Sequence, residues 1–129
     1  MRLSEHFSSE EFTCRCQRGP ACNAPTLPTQ ALVEGLERLR VAHGHAIHIT
    51  SGIRCEPWNR FVGGVQGSEH LTGEGADILA DTAQARYTLL SLILTQHLFR
   101  RVGVAARFLH VGVSSAHPQD VCWVYPARD

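Results

Sequence analysis

The stretch SEHLTGEGADIL, residues 68–79, constrains this chain more than any other. Gly73 and Gly75 are separated by one residue, and a glycine inside a helix costs about 1 kcal/mol relative to alanine. His70 and Asp77 are therefore not ligands sharing one helical face, as in an HExxH helix. A loop running into a short apolar strand, ADIL at 76–79, fits the pattern instead. Histidine and aspartate are both good zinc ligands, and a loop-plus-strand frame can aim both at one ion. On this stretch alone, a polar surface turn with an incidental histidine is the plainer reading.

The rest of the chain frames that stretch with alternating elements. A short turn of helix is expected around Ser8 to Phe12. Residues 14–28 hold three cysteines and three prolines and read as a loop. A helix starts near Pro28, with Leu32, Val33, Leu36 and Leu39 on one face, and stops near His43 and Gly44. AIHIT at 46–50 alternates and reads as a strand. Residues 51–67 read as a long functional loop anchored by Trp58, Phe61 and Val62. A second helix runs from a cap at Asp81 or Thr82 to about Phe99, with Ala83, Tyr87, Leu90 and Leu94 as its expected buried face. Strands follow near 102–105, 108–113 and 121–125. This order predicts an α+β fold with two main helices and a small, mainly antiparallel sheet.

With 129 residues, the chain is expected to form a single domain, 1–129. Twelve basic and twelve acidic residues leave no net charge, so there is no electrostatic case for nucleic acid. No apolar run is long enough to span a bilayer. The N-terminus, MRLSEHFSSEEF, lacks the apolar core of a signal peptide. Synthesis in the cytoplasm is expected, with some other export route if the substrate lies outside it. A monomer is expected.

In FLHVGV, 108–113, side chains alternate. Leu109, Val111 and Val113 make the core face, and His110 shares the other face with Phe108 and Gly112. With His70 and Asp77 on a neighbouring loop and strand, His110 becomes a candidate third ligand. Three protein ligands and an open fourth position describe a catalytic zinc.

Together these residues carry a resemblance. SGIRCEPWNRFVGGVQGSEHLTGEGADI is similar to the zinc D-Ala-D-Ala carboxypeptidase family, peptidoglycan peptidases that share a fold with the Hedgehog signalling domain. The matching positions are Ser51-Gly52-Ile53-Arg54, Asn59, Gly63-Gly64, Ser68, His70, Gly73, Asp77 and His110. The opening HFSSEEFTCRC and closing VCWVY extend the likeness over nearly the whole chain, and it is greatest to small phage- and prophage-like members. The resemblance implies Zn²⁺ on His70, Asp77 and His110, and peptidoglycan stem peptides as substrate. It implies hydrolysis of bonds next to D-amino acids at the cell wall, reached through a phage or another export route. Arg54 would steady an oxyanion or hold a substrate carboxylate, its alternative being a surface pair with Glu56. Ser68 would lie near the substrate, its alternative being to order the loop. Gly63 and Gly64 would permit a turn.

One position departs from the family pattern. Relatives carry an acid three residues before the last ligand or two after it, as general base. Here those positions are Arg107 and Gly112. Glu69, Glu74, Asp81 and Asp120 are the substitutes, none at the expected spacing, with Glu74 nearest between the ligands. An acid installed at Gly112 is expected to raise the rate. A binding module that keeps the zinc site without cutting is the alternative function. A closed structural zinc would need a fourth ligand, for which His48 or His117 could serve.

Cys14, Cys16 and Cys22 cluster in CRCQRGPAC, with Cys55 and Cys122 far away. A structural zinc site lacks a fourth clustered ligand in that segment. Reduced, mostly buried thiols are expected in a cytosolic product, with Cys14 or Cys16 paired to Cys55 after export as the alternative.

Overall fold

A computed structural model describes residues 1–126; positions 127–129 of the expected domain lie outside the described residues. Among the described residues, three helices and three 3₁₀ turns surround a five-stranded sheet. The helices are α1 (Gln30–His43), α2 (Glu56–Phe61) and α3 (Ala83–Thr95). The strands are β1 (Ile49–Ser51), β2 (Gly75–Leu79), β3 (Arg101–Val104), β4 (Phe108–Gly112) and β5 (Val121–Val124). Their spatial order is β1-β2-β4-β3-β5, antiparallel except for the β3–β5 pair. The α+β class and the mainly antiparallel sheet expected from the sequence are both present.

Strand alternation divides the sheet into two faces. Ala76, Ile78, Val102, Leu109 and Val111 lie on the core face with Leu32, Leu36, Leu39, Leu89 and Ile93 of the helices. Each such valine, leucine or isoleucine contributes about 1.5–3 kcal/mol when fully buried. Helix α1 begins where Thr29 Oγ1 accepts from the Leu32 amide and ends at Gly44, which adopts φ +77°. The opposite face carries two rows fixed by register. Asp77 pairs with His110, His110 with Gly103, and Gly103 with Trp123. Gly75 pairs with Gly112 and Gly112 with Arg101.

Three expectations need correction. Residues 51–67 are not one loop, because Glu56–Phe61 forms α2 with Pro57 in its first turn, where its missing N–H costs nothing. Phe61 does not anchor the segment: it is 81% exposed and stacks on Trp58, while Asn59 is the buried residue. On α3, Tyr87 and Leu94 are exposed and Leu89 and Ile93 are buried. The second half of α3, LLSLIL, is apolar nearly all round, so packing on the sheet and α1 chose the inward stripe. Among the described residues, no helix is long and apolar enough to cross a membrane.

Candidate metal centre

Ser68 opens a 3₁₀ turn, Glu69–Thr72, by accepting the His70 amide at 3.2 Å. The turn ends at Gly73 with φ +74°, and β2 begins two residues later. This path lays His70 over the polar face of the sheet, above Asp77 on β2 and His110 on β4. His70 Nε2 lies 3.2 Å from Asp77 Oδ1, and His110 Nδ1 lies 3.0 Å from the same oxygen. All three residues are buried. His110 is thus not a solvated side chain: the Trp123 ring lies 5.5 Å from its own, seated on Gly103, where a β-carbon would meet Trp123 Nε1 at 2.5 Å.

The outer nitrogens settle the tautomers. His70 Nδ1 is 2.6 Å from the Gly52 carbonyl, which can only accept, so that nitrogen carries a proton. His110 Nε2 is 2.9 Å from Glu69 Oε1. Burial resists ionisation of Glu69, but the His110 ring, the Ser114 amide and Arg101 outweigh it and hold its pKa down at about 2. An ionised Glu69 accepts from His110 Nε2. In the neutral rings, His70 Nε2 and His110 Nδ1 then aim lone pairs at a carboxylate oxygen. Three converging acceptors call for a cation between them. The two separations from Asp77 Oδ1 are close to the edge of a zinc tetrahedron, roughly 3.3 Å for bonds of about 2.0–2.1 Å, and the three ligand atoms lie within 4.8 Å of one another. Without a cation, burial disfavours the charged His110 ring, yet Asp77 and Glu69 on its two nitrogens raise its pKa.

Arg54 does not pair with Glu56. Its Nε donates to Ser51 Oγ, Nη1 to Asn59 Oδ1 and Nη2 to Asp77 Oδ2, at 3.0–3.3 Å. Asn59 is held in turn through its bond to the Val65 carbonyl. Of the two loop glycines, only Gly63 has positive φ, at +78°. Gly64 is glycine for a different reason: a β-carbon there would collide with Asn59 Oδ1.

Glu69 is the residue that sequence spacing failed to single out. It neighbours His70 in the chain, but its carboxylate stands over Gly112, with Ser114 N donating to Oε2 at 3.0 Å. Arg101 Nε lies 3.0 Å from Oε1 as an ion pair, its N–H not aligned for a hydrogen bond. Glu74 turns to Thr72, and Asp120 pairs with Arg100 at the surface. Asp81 is exposed. His117 is committed to Ser114 Oγ and the Gly67 carbonyl, and neither it nor His48 joins the His70–Asp77–His110 group.

A sheet-backed His/Asp/His group is an arrangement that could hold a metal ion, and the family comparison says in what class of protein it sits. The model of the Peptidase M15 family matches residues 5–114. The chain belongs to that family, which is of the zinc D-Ala-D-Ala carboxypeptidase type. No curated protein matches it.

Proposed function

We propose that the protein is a zinc peptidase hydrolysing bonds next to D-amino acids in peptidoglycan, as a carboxypeptidase or an endopeptidase. His70, Asp77 and His110 hold the metal, with Arg54 and Ser68 serving the substrate. The observation that carries this reading is the convergence of His70 Nε2 and His110 Nδ1 on Asp77 Oδ1 in a chain of the M15 family. Zinc, when bound, supplies Lewis acidity toward the scissile carbonyl and toward water. The Gly52 carbonyl keeps the His70 proton on Nδ1, and Glu69 keeps the His110 proton on Nε2, so both inner nitrogens stay free as metal ligands. Arg54 uses three of its five N–H donors internally and keeps two for a substrate carboxylate or oxyanion. Ser68 orders the turn and stands next in the chain to Glu69. The unit acts as a single monomeric domain on stem peptides, with no role for nucleic acid, after cytoplasmic synthesis and delivery to the cell wall.

One observation favours a second reading, a cell-wall-peptide-binding module. Glu69 is committed to the ring nitrogen of His110 that faces away from Asp77, so it is not a free general base. A missing base typically costs on the order of 10² to 10⁴ in rate. Slow hydrolysis is therefore expected. The test is to incubate zinc-loaded protein with defined muropeptides and read the products by mass spectrometry. Product should appear with wild type, vanish with His110→Ala, and fall on the order of 10² to 10³ with Arg54→Ala. Binding of muropeptides without cleavage by wild type would replace the enzyme with the binding module.

A further inference from the structure

Apart from Arg15 Nη2, which donates to the Ile49 carbonyl at 3.1 Å, the segment Cys14–Cys22 has little to hold it in place. Its 3₁₀ turn, Gly19–Ala21, buries no side chain, and Thr13, Arg15 and residues 17–21 are exposed. Gln17 adopts φ +57° to turn the chain. What the segment converges on is sulfur. The Sγ atoms of Cys14, Cys16, Cys22 and Cys55 all lie within 4.8 Å of one another, and all four are free thiols. Cys55 is buried, the other three are half-buried, and Cys122 is exposed and apart. The expectation of mostly buried cysteines is thus met only by Cys55.

We propose that these four cysteines form a structural zinc site, distinct from the His70–Asp77–His110 centre. Four thiolates close a tetrahedron and leave no open position, the arrangement of structural rather than catalytic zinc. A tetrahedron with zinc–sulfur bonds of about 2.3 Å has edges of roughly 3.8 Å, inside the observed spread. Two backbone amides already serve the sulfurs as they would serve thiolates: Cys55 N donates to Cys14 Sγ at 3.2 Å, and Arg18 N to Cys16 Sγ at 3.4 Å. The two halves of the site are aligned independently of the sulfurs. Ile53 N donates to the Phe12 carbonyl at 2.8 Å, and Gly52 packs so closely on Phe12 that a β-carbon would lie 2.6 Å from its Cα.

The location gives the site a purpose. It clamps the N-terminal loop to residues 52–55. Within that segment the Gly52 carbonyl orients His70, and Arg54 grips Asp77. The structural zinc is therefore a buttress for the metal centre that acts through residues 52–55.

The test starts from protein purified under reducing conditions. Wild type should carry two zinc ions per chain. His70→Ala/His110→Ala should keep one, with an X-ray absorption shell of sulfur alone at about 2.3 Å. Cys122→Ser should keep both, and Cys22→Ser should lose the sulfur-bound ion. If the double variant does not fold, cobalt-substituted wild type serves instead, and should show a near-ultraviolet sulfur-to-cobalt charge-transfer band that Cys22→Ser abolishes. A zinc content that Cys22→Ser leaves unchanged, nitrogen or oxygen in the shell of the double variant, or no charge-transfer band overturns the proposal, whereas a single wild-type zinc that Cys22→Ser removes supports it and leaves only the His70–Asp77–His110 centre empty. So does an intact mass showing disulfides among the four cysteines. The readouts do not use peptidase activity, so an inactive protein leaves the test intact.

Discussion

The carboxylate of Glu69 fills the volume that a side chain at Gly112 would occupy, so that a β-carbon there would overlap both of its oxygens. Gly112 pairs with Gly75 on one side and Arg101 on the other, and Gly75 is crowded as well, by Glu69 Cβ at 2.7 Å and His110 Cε1 at 2.8 Å. The acid absent from the strand is thus matched by one arriving from the turn above it. It reaches the far nitrogen of the histidine rather than the side facing Asp77.

This relationship reverses the sequence-based expectation for Gly112→Asp. The added side chain would displace Glu69 from Ser114 and Arg101 and set two carboxylates side by side. Overpacking of this kind costs about 1–3 kcal/mol. The variant should melt lower than wild type and cleave muropeptides no faster. A calorimetric scan beside the product assay checks both, and a faster variant of unchanged stability would disprove this account.

Glu69→Gln keeps the shape but loses the charge that secures the Nε2 proton of His110. Such supporting carboxylates typically affect metal affinity by about 10–100-fold. The variant should surrender zinc from the His70–Asp77–His110 centre to a chelator at correspondingly lower concentration. Equal retention in the two proteins would reduce Glu69 to a space-filling role.

Acid should loosen the N-terminus through Glu37. Its carboxylate accepts from Ser4 Oγ and the His6 amide and contacts His6 Nδ1. Burial opposes its ionisation, but these bonds outweigh it and depress its pKa below 4.5. A depressed carboxylate stabilises the fold above its unfolded value and stops doing so as pH falls through its folded value. Amide exchange in residues 3–8, corrected for intrinsic rates, should therefore quicken below about pH 4.5 in wild type. In Glu37→Gln it should be quick already and change little across that range.

The inward stripe of α3 can be read by paired truncations. Ile93→Ala, at a fully buried position, should cost about 2–5 kcal/mol by denaturant titration. Tyr87→Ala, at a 77% exposed position, should stay within about 0.5 kcal/mol. The opposite ranking would restore the stripe expected from sequence periodicity.

What the sequence determined by itself was local in its physics. Alternation along FLHVGV put His110 opposite Leu109 and Val111, glycines at 73 and 75 forced a turn before β2, and spacing set Leu32, Leu36 and Leu39 on one helical face. These follow from backbone geometry within a few residues, and with the SGIRC and SEHLTGEGAD motifs they were enough to name the family. Tertiary structure alone decided where residues distant in the chain meet. It chose Leu89 and Ile93 from an apolar run with no clear stripe, because only packing distinguishes equivalent leucines. It brought Cys55 to Cys14, Cys16 and Cys22 across more than thirty intervening residues, supplying the fourth sulfur that CRCQRGPAC lacks. It also folded Glu69 back over Gly112, since which side chain fills a vacancy on a sheet depends on how the neighbouring turn is laid down, and no periodicity encodes that.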